Sequence, residues 1–190
     1  MEVMVQLTGR TPIVMHNPRL ADPLDHFTRE IAKVSKKRSK TEDDHAELAR
    51  LEFLGGLYVD DGQVVVPTAC VRKCIIQAAK ATKQGKQIER SVAFSEQYVP
   101  LEYEGPRDID KLFNVDSKFV NRASVVVQGK RIIRVRPQFF PWMIEVRAII
   151  NEVMLNLEDF ERIMSLSGQT EGLCDGRSIG YGRFDVEFLD

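Results

Sequence analysis

Hydrophobic and polar residues alternate in some stretches of this chain and recur at helical spacing in others. The first stretch, EVMVQLT (2–8), places Val3, Val5 and Leu7 on one face and predicts a strand. Residues 9–24 follow without a regular period, and they predict a loop.

Two helices and a hairpin are predicted next. Apolar residues at helical spacing favour a short helix over 25–38 and a second helix over 42–54. Thr41 precedes three acidic residues and is the expected N-cap of the second helix. The run LYVDDGQVVVP (57–67) predicts a hairpin that turns at the Asp-Gly pair 61–62.

A further helix is predicted to begin at or just after Thr68, because Pro67 ends the preceding strand. Val71 and Ile75 belong to its apolar stripe, and its basic residues lie off that stripe. Residues 84–117 then show no clear period. A stretch of this length without predicted elements is typical of a functional or mobile segment.

The second half of the chain predicts a long hairpin and three further elements. The hairpin is RASVVVQGKRIIRVR (122–136), with Gln128-Gly129 as its turn. The other elements are a strand over 142–150, a helix over 157–166 capped by Asn156, and a strand over 183–189 that follows a glycine-rich turn at 172–182.

The order of these elements indicates the fold. Strand, helix, strand pair, helix and strand follow one another, which is the split βαβ pattern of a ferredoxin-like fold. We therefore predict an α+β fold with an RRM-type βαββαβ core and two insertions, one thumb-like and one helical. Residues 1–190 are expected to form one domain, with insertions at about 9–66 and 84–117. The first and last strands should be neighbours, which places the glycine-rich turn at the sheet edge.

Charge is distributed unevenly along the chain. The segments 28–40, 71–90 and 118–136 together hold 18 Lys and Arg residues and 2 acidic residues. Because the whole chain has a net charge of −1, the remaining residues sum to −17. Basic faces suit phosphate backbones, and opposite faces suit head-to-tail assembly. The alternative is that these runs are ordinary solvated surface.

Composition excludes several classes of protein. The odd number of cysteines, three, favours a reducing cytoplasm over a disulfide framework. Cys70 and Cys74 lack the second ligand pair that a zinc site needs. We expect no signal peptide, no membrane partner, no metal and no cofactor, because the chain has neither a long apolar run nor a nucleotide-binding fingerprint.

Three glycines precede the last strand, in the stretch CDGRSIGYGRFDVEFLD (174–190). Gly176, Gly180 and Gly182 permit positive φ and close backbone approach. One interpretation is a tight turn that follows a helix C-cap at Gly172. The other is a loop whose N–H groups hold a phosphate.

Polar side chains in the same loop favour the second interpretation. Arg177 and Arg183 supply positive charge beside the glycines. Tyr181 has the aromatic ring with which single-strand binders stack on bases. The loop is therefore a candidate site for a flexible polyanion.

A second motif, VVVPTACVRKCIIQAA (64–79), consists of a strand, a proline, small residues and a helix with an early basic residue. Pro67, Thr68, Ala69 and Arg72 follow a pattern that resembles the RAMP superfamily, the fold of CRISPR backbone and guide-processing subunits. That family carries Pro-Gly-Ser-Ser-x-Arg/Lys-Gly at this place. Here Thr-Ala-Cys replaces Gly-Ser-Ser, and Cys74 replaces a common small residue.

The resemblance extends over most of the chain. Residues 176–183 are similar to the glycine-rich loop that precedes the last strand in that family. The segment VQLTGRTPIVMHN (5–17) resembles its first strand and the loop that follows.

The resemblance implies binding of single-stranded nucleic acid, usually RNA, across the sheet and along the first helix of the core. It also implies head-to-tail stacking of copies, with one insertion acting as a thumb between nucleotides. Replacing Arg72 or Arg177 by alanine is then expected to weaken binding and its salt dependence. The residues expected to contact nucleic acid are His16, Asn17, Arg19, Arg72, Lys73, Lys80, Lys130, Arg131, Arg134, Arg177, Ser178, Tyr181 and Arg183, with Gly176, Gly180 and Gly182 shaping the loop.

Some members of that family cut RNA, with a histidine or with an aspartate and a metal. His16 and His26 are the histidine candidates here, and Asp22 and Asp25 could share a hydrated Mg²⁺. The alternative, which we favour, gives these residues capping and turn roles, with Asp22 capping a helix near Pro23. No catalytic residue is therefore assigned.

Three functional hypotheses remain open. The first is a subunit that coats guide RNA together with copies of itself and other CRISPR-type subunits. The second is a stand-alone coat of single-stranded DNA or RNA from a mobile element. The third is a metal-dependent endoribonuclease. RNA preference separates the first from the second, since a reader of the 2′-hydroxyl loses affinity on DNA.

Overall fold

The computed structural model describes residues 1–114, 117–127 and 129–189, without the side chains of Val127 and Lys130. Its strands are β1 Glu2–Gly9, β2 Ile13–Val14, β3 Val59–Asp60, β4 Gln63–Pro67, β5 Val92–Phe94, β6 Tyr98–Pro100, β7 Glu102–Tyr103, β8 Val120–Val127, β9 Lys130–Phe139, β10 Trp142–Ile150 and β11 Phe184–Leu189. Its helices are α1 His26–Ser35, α2 Glu42–Gly56, α3 Thr68–Lys80, α4 Gly85–Ser91 and α5 Leu157–Thr170, with short 3-10 turns at Pro18–Ala21, Ile109–Lys111 and Arg177–Ile179.

The central sheet has the strand order β11-β1-β10-β5, with β7 also pairing with β10. All of these pairs are antiparallel. Because α3 lies between β1 and β5 in sequence, and α5 between β10 and β11, this is the βαββαβ order of a ferredoxin-like core. The predicted α+β fold class is confirmed, as is the pairing of the first strand with the last.

One face of the central sheet is buried beneath α3 and α5. Val5 and Leu7 of β1 are fully buried, as the alternation predicts, and so are Ile75 of α3 and Ile163 of α5. A shift of one residue would move these apolar side chains to the other face, so their burial sets the strand register. The two helices therefore pack side by side, and α3 lies next to the loop that follows α5.

The second strand of the core is β5, within the range 84–117 for which the sequence predicts no element. The hairpin predicted over 122–136 forms as β8 and β9, but it lies outside the central sheet and pairs with β2. The core's strand pair is thus β5 and β10. A strand of three residues is too short to show a period, which explains why the sequence does not reveal it. The domain boundary and the two insertions, 9–66 and 84–117, stay predictions.

Local signals in the sequence correspond closely to observed caps and turns. Thr41 forms a capping box with Asp44 at the start of α2. Asn156 caps α5, which continues to Thr170 and is longer than predicted. The hairpin of β3 and β4 turns at the Asp-Gly pair 61–62, as predicted. The other predicted hairpin turn includes Gln128, which lies outside the described residues.

Within the described residues, no helix combines the length and the apolar composition that a membrane crossing requires.

Candidate nucleic-acid interface

The glycine-rich loop, residues 172–182, connects α5 to β11 and is bound to the segment that follows β1. The C-cap of α5 is Glu171, so the C-cap predicted at Gly172 was one residue too late, and Gly172 follows the cap with a left-handed φ of 81°. The N–H of Asp175 donates to Val14 O at 2.8 Å, and the N–H of Gly182 donates to Pro12 O at 2.8 Å. These bonds fix the loop against the start of the chain.

The three glycines of this loop adopt left-handed conformations that favour glycine. Their φ values are 69° at Gly176, 95° at Gly180 and 71° at Gly182. At Gly176 a Cβ would lie 2.5 Å from the Tyr181 ring. The glycines are thus required by the loop's own geometry, independently of any ligand.

Three successive backbone donors in this loop are available. The N–H groups of Gly176, Arg177 and Ser178 have no hydrogen-bond partner in the described part of the chain. Successive N–H groups that follow a left-handed residue can form an anion-binding concavity. Phosphate binding by this loop stays a prediction, and its backbone geometry is compatible with it.

A depression of about 440 Å³ lies between the loop and α3. Arg177, Ser178 and Arg183 line it on the loop side, and Gln77 lines it from α3. The Nη1 atom of Arg183 is buried and has no hydrogen-bond partner among residues 1–114, 117–127 and 129–189. Buried donors are nearly always paired, so this unpaired atom is an exception at the edge of the depression.

A second depression, of about 260 Å³, shares Arg177 with the first. Its other walls include His16, from the loop after β1, and Lys73, from α3. Neither Lys73 nor Arg177 forms a salt bridge or a side-chain hydrogen bond with any described residue. The fold therefore brings together five of the predicted contact residues: His16, Lys73, Arg177, Ser178 and Arg183.

Desolvation affects the protonation of His16. The residue as a whole is exposed, yet surrounding protein atoms desolvate its ring and thereby lower the pKa of His16. Arg134 and Arg136 lower this pKa further, whereas Asp175 opposes them. This shift favours the neutral imidazole, and contact of His16 with nucleic acid stays a prediction.

An ion pair between a buried arginine and a partly exposed aspartate supports the loop from the hairpin side. Arg136 of β9 forms a salt bridge with Asp175 and contacts the amide oxygen of Asn121. The side-chain N–H of Asn121 donates to the Tyr181 hydroxyl at 3.2 Å. Tyr181 is half-buried and anchored at its hydroxyl, and its stacking on a base stays a prediction.

Arg72 and Lys80 lie on α3 but line neither depression. The Arg72 guanidinium donates to the carbonyl oxygen of Glu89 at 2.6 Å, on the α4 side of the helix. Lys80 is exposed and donates to the side chain of Gln77 at 2.9 Å. Contact of Arg72 and Lys80 with nucleic acid stays a prediction, and the structure does not bring them to the glycine-rich loop.

Gln77 was missed by the sequence analysis. It lies four residues after Lys73, and such residues are neighbours on one helix face. That spacing was a usable signal for Gln77. Asp175 was also missed, and no local signal marks it, because its partner Arg136 lies 39 residues away in sequence.

The basic residues of the hairpin have separate environments. Arg131 is exposed. Arg134 forms a salt bridge with Glu52 of α2 at 2.9 Å, and the other carboxylate oxygen of Glu52 accepts from Val135 N at 2.9 Å. The side chain of Lys130 lies outside the described residues. Contacts of these three residues with nucleic acid stay predictions.

Asn17 and Arg19 bind the end of α2. The Asn17 side chain accepts from Arg19 N at 3.1 Å and donates to Leu57 O at 2.9 Å. The Arg19 guanidinium donates to the carbonyl oxygens of Gly55 and Leu54 at 2.9 and 3.0 Å. Cations stabilise helix C-termini, so Arg19 has a structural role, while its contact with nucleic acid stays a prediction.

We expect Arg19→Gln to lower stability more than nucleic-acid affinity. The substitution removes charged hydrogen bonds to carbonyl oxygens that end α2, which predicts a loss of about 1–3 kcal/mol in the free energy of unfolding. Urea denaturation followed by circular dichroism measures this loss. Arg29→Gln, on exposed α1, is the matched control. A stable Arg19 variant that binds nucleic acid poorly would instead assign Arg19 to the interface.

The two candidate catalytic aspartates accept hydrogen bonds from nearby backbone N–H groups, Asp25 as a helix cap and Asp22 in a turn. Asp25 is the N-cap of α1 and accepts from Phe27 N at 2.8 Å. Asp22 accepts from Leu24 N at 2.8 Å. The expectation that Asp22 caps a helix near Pro23 was wrong, because the helix begins one turn later and Asp25 caps it. The structure shows no group of three or more potential metal ligands among the residues it describes.

Comparisons with known proteins concern the fold. No protein-family model and no curated protein matches the chain. The structure is similar to a chain of a cryo-EM structure of "the Type III-B Cmr-beta bound to cognate target RNA", with a TM-score of 0.53 and 12% sequence identity. The match covers 100% of this chain and 61% of that chain, so this chain spans about three-fifths of the length of its structural neighbour. At this identity the similarity establishes a shared fold.

Proposed function

We propose that this chain is an RNA-binding subunit of a CRISPR-type ribonucleoprotein. The sequence motifs support this proposal through their resemblance to the RAMP superfamily. The shared fold with a chain of an RNA-bound Cmr complex supports it independently. The cysteine composition is compatible with a place in the cytoplasm.

One observation carries the proposal. Lys73 and Arg177, which lack partners among the described residues, line two depressions that share Arg177, and Arg183 lines the larger one. These residues come from α3 and from the last loop, far apart in sequence. Unpaired cations along a groove are what a phosphate backbone needs, because each contact releases a condensed counterion.

We further propose that the bound strand is a guide RNA and that copies of the chain stack head-to-tail along it. The separation of basic and acidic segments supports such stacking, since opposite surfaces of adjacent copies attract. Backbone contacts of this kind carry no base information, so we expect weak dependence on sequence.

The test is a fluorescence anisotropy titration of nuclease-treated protein with labelled single-stranded RNA, single-stranded DNA of the same sequence, and duplex DNA. Two salt concentrations and arms with EDTA and Mg²⁺ are used, and a gel monitors cleavage. We expect salt-sensitive binding to RNA, weaker binding to DNA and no cleavage. Mass photometry on RNAs of increasing length should show protomers added at a constant number of nucleotides.

Each alternative gives a different result. Equal affinity for RNA and single-stranded DNA would favour a general coat of single strands. Fragments that require Mg²⁺ would favour an endoribonuclease and reopen the roles of Asp22 and Asp25. Absence of binding to any of the three nucleic acids would contradict the proposal for the isolated chain.

A further inference from the structure

Two cysteines meet at the boundary between α3 and the glycine-rich loop. Cys70 lies in the first turn of α3, and Cys174 lies at the start of the loop. Both line the 260 Å³ depression, and each thiol is close enough to shift the pKa of the other. Each is partly exposed. The pair is therefore close in space, accessible from solvent and 104 residues apart in sequence.

The backbone at Cys174 is unusual for a cysteine. Its φ is 59°, a left-handed value that it shares with only two other non-glycine residues in the described part of the chain, Asp61 and Lys83. This conformation is unfavourable for residues with a Cβ, apart from Asn and Asp. Glycine would suit it better, and several glycines occupy comparable positions nearby. The position instead carries a thiol that contacts Cys70.

We propose that Cys70 and Cys174 form a redox pair that a peroxide oxidises to an intramolecular disulfide linking α3 to the glycine-rich loop. The inference concerns the thiols themselves and does not rest on the proposed RNA-binding function. Disulfides in reducing compartments are typically transient and regulatory, which fits a pair at a surface depression.

The chemistry balances in two steps. The Cys70 thiolate attacks one peroxide oxygen, the O–O bond breaks, and the departing hydroxide takes a proton, which leaves a sulfenic acid on Cys70. The Cys174 sulfur then attacks the Cys70 sulfur, the S–O bond breaks, and hydroxide leaves with the Cys174 proton as water. Two thiols are oxidised to one disulfide, and one hydrogen peroxide is reduced to two waters.

Electrostatics divides the roles of the three cysteines. The interaction with the neighbouring Cys174 thiol lowers the pKa of Cys70, and the charges of Lys73 and Arg177 lower it further. The same interaction and burial raise the pKa of Cys174. Burial raises the pKa of Cys74 to about 12. Cys70 is therefore the attacking residue, Cys174 the resolving residue, and Cys74 an unreactive internal control.

The experiment treats the reduced 190-residue chain with one equivalent of hydrogen peroxide at neutral pH. N-ethylmaleimide then blocks the remaining thiols, and intact mass and peptide mapping follow. We expect two of the three thiols to become unreactive, a single cross-link between Cys70 and Cys174, and full reversal by dithiothreitol. Before oxidation, Cys70 should react with a limiting alkylating reagent at least about tenfold faster than Cys74.

Two variants separate the steps. Cys174→Ser should stop the reaction at a sulfenic acid on Cys70, which dimedone traps. Cys74→Ala, the matched control, should form the cross-link as the wild type does. Circular dichroism checks that each variant is folded. If a variant does not fold, the peptide map of the wild type alone decides the test.

Three results would overturn the proposal. The first is that the wild type retains three free thiols under conditions that oxidise free cysteine. The second is a cross-link that involves Cys74, and the third is a cross-link that joins two molecules.

A further arm of the experiment adds single-stranded RNA before the peroxide. Slower oxidation supports the RNA site at Lys73 and Arg177, whereas an unchanged rate with an intact cross-link keeps the redox pair and counts against that site.

Discussion

Replacing Gly182 by alanine is expected to destabilise the fold severely, whereas replacing Gly180 by alanine should have a much smaller effect. Both residues have positive φ, 71° and 95°, so both substitutions incur backbone strain of about 1–2 kcal/mol. They differ in the space around them. A Cβ at Gly182 would lie 2.2 Å from the carbonyl oxygen of Leu173, whereas a Cβ at Gly180 has no atom within 4 Å.

The backbone of Leu173 has little freedom to move away. Its N–H donates to Gly182 O at 2.9 Å, and its side chain is fully buried. We therefore expect Gly182→Ala to cost more than about 4 kcal/mol, a value reserved for severe packing conflicts. Gly180→Ala should lower the free energy of unfolding only by the backbone strain of its positive φ.

Urea denaturation of both variants, followed by circular dichroism, measures the loss in the free energy of unfolding that each substitution causes in this loop. Gly180→Ala is the matched control, because it shares the sign of φ and the neighbourhood. Equal losses in the two variants would contradict the close approach of Gly182 to Leu173. A folded Gly182→Ala variant with wild-type stability would contradict the loop conformation itself.

Replacing both Lys73 and Arg177 by glutamine is expected to reduce the affinity for single-stranded RNA by about 10- to 100-fold near physiological salt, since two phosphate contacts are lost. The slope of log affinity against log salt should become shallower by about 1.4, at about 0.7 for each contact with a single strand. Anisotropy titrations at four or more salt concentrations measure both quantities.

Stability should be almost unchanged in this double variant. Neither side chain forms a salt bridge or a hydrogen bond with a described residue, so its removal breaks no internal contact. Surface substitutions of this kind usually change stability by less than about 0.5 kcal/mol. A loss of affinity in a variant of normal stability therefore reports on the interface.

Two controls make the assignment specific. Lys111→Gln with Arg162→Gln removes the same charge from exposed residues that pair with Asp108 and Asp159. Arg72→Gln removes the neighbouring cation, whose guanidinium contacts Glu89 O. Because the Arg72 guanidinium points towards α4, we now expect a smaller effect from Arg72→Gln than the motif alone predicts, and a small effect from the surface pair. Equal losses in all three variants would indicate a diffuse electrostatic attraction with no site at the glycine-rich loop.

Features that depend on a few adjacent residues followed directly from the sequence. The N-caps at Thr41 and Asn156 and the turn at the Asp-Gly pair 61–62 are examples. Each is decided by hydrogen bonds or φ preferences within one turn of chain, so neighbouring residues contain the whole signal.

Features that depend on distant partners required the tertiary structure. The strand β5 is part of the core only because β10 pairs with it, and its three residues carry no period of their own. Arg19 was predicted to face a ligand, yet it binds the carbonyl oxygens that end α2, 36 residues later. A charged side chain shows its chemistry in the sequence, but its partner depends on the fold.

The candidate site shows the same division. Composition and motifs indicated a basic helix start and a basic glycine-rich loop. Which cation of α3 faces that loop depends on the rotation of the helix, and successive residues differ by about 100° around its axis. Burial of Val71 and Ile75 sets that rotation, which turns Lys73 towards the loop and Arg72 towards α4. The sequence thus showed the chemical character of each residue, whereas only the packing of the fold decided which side chains meet.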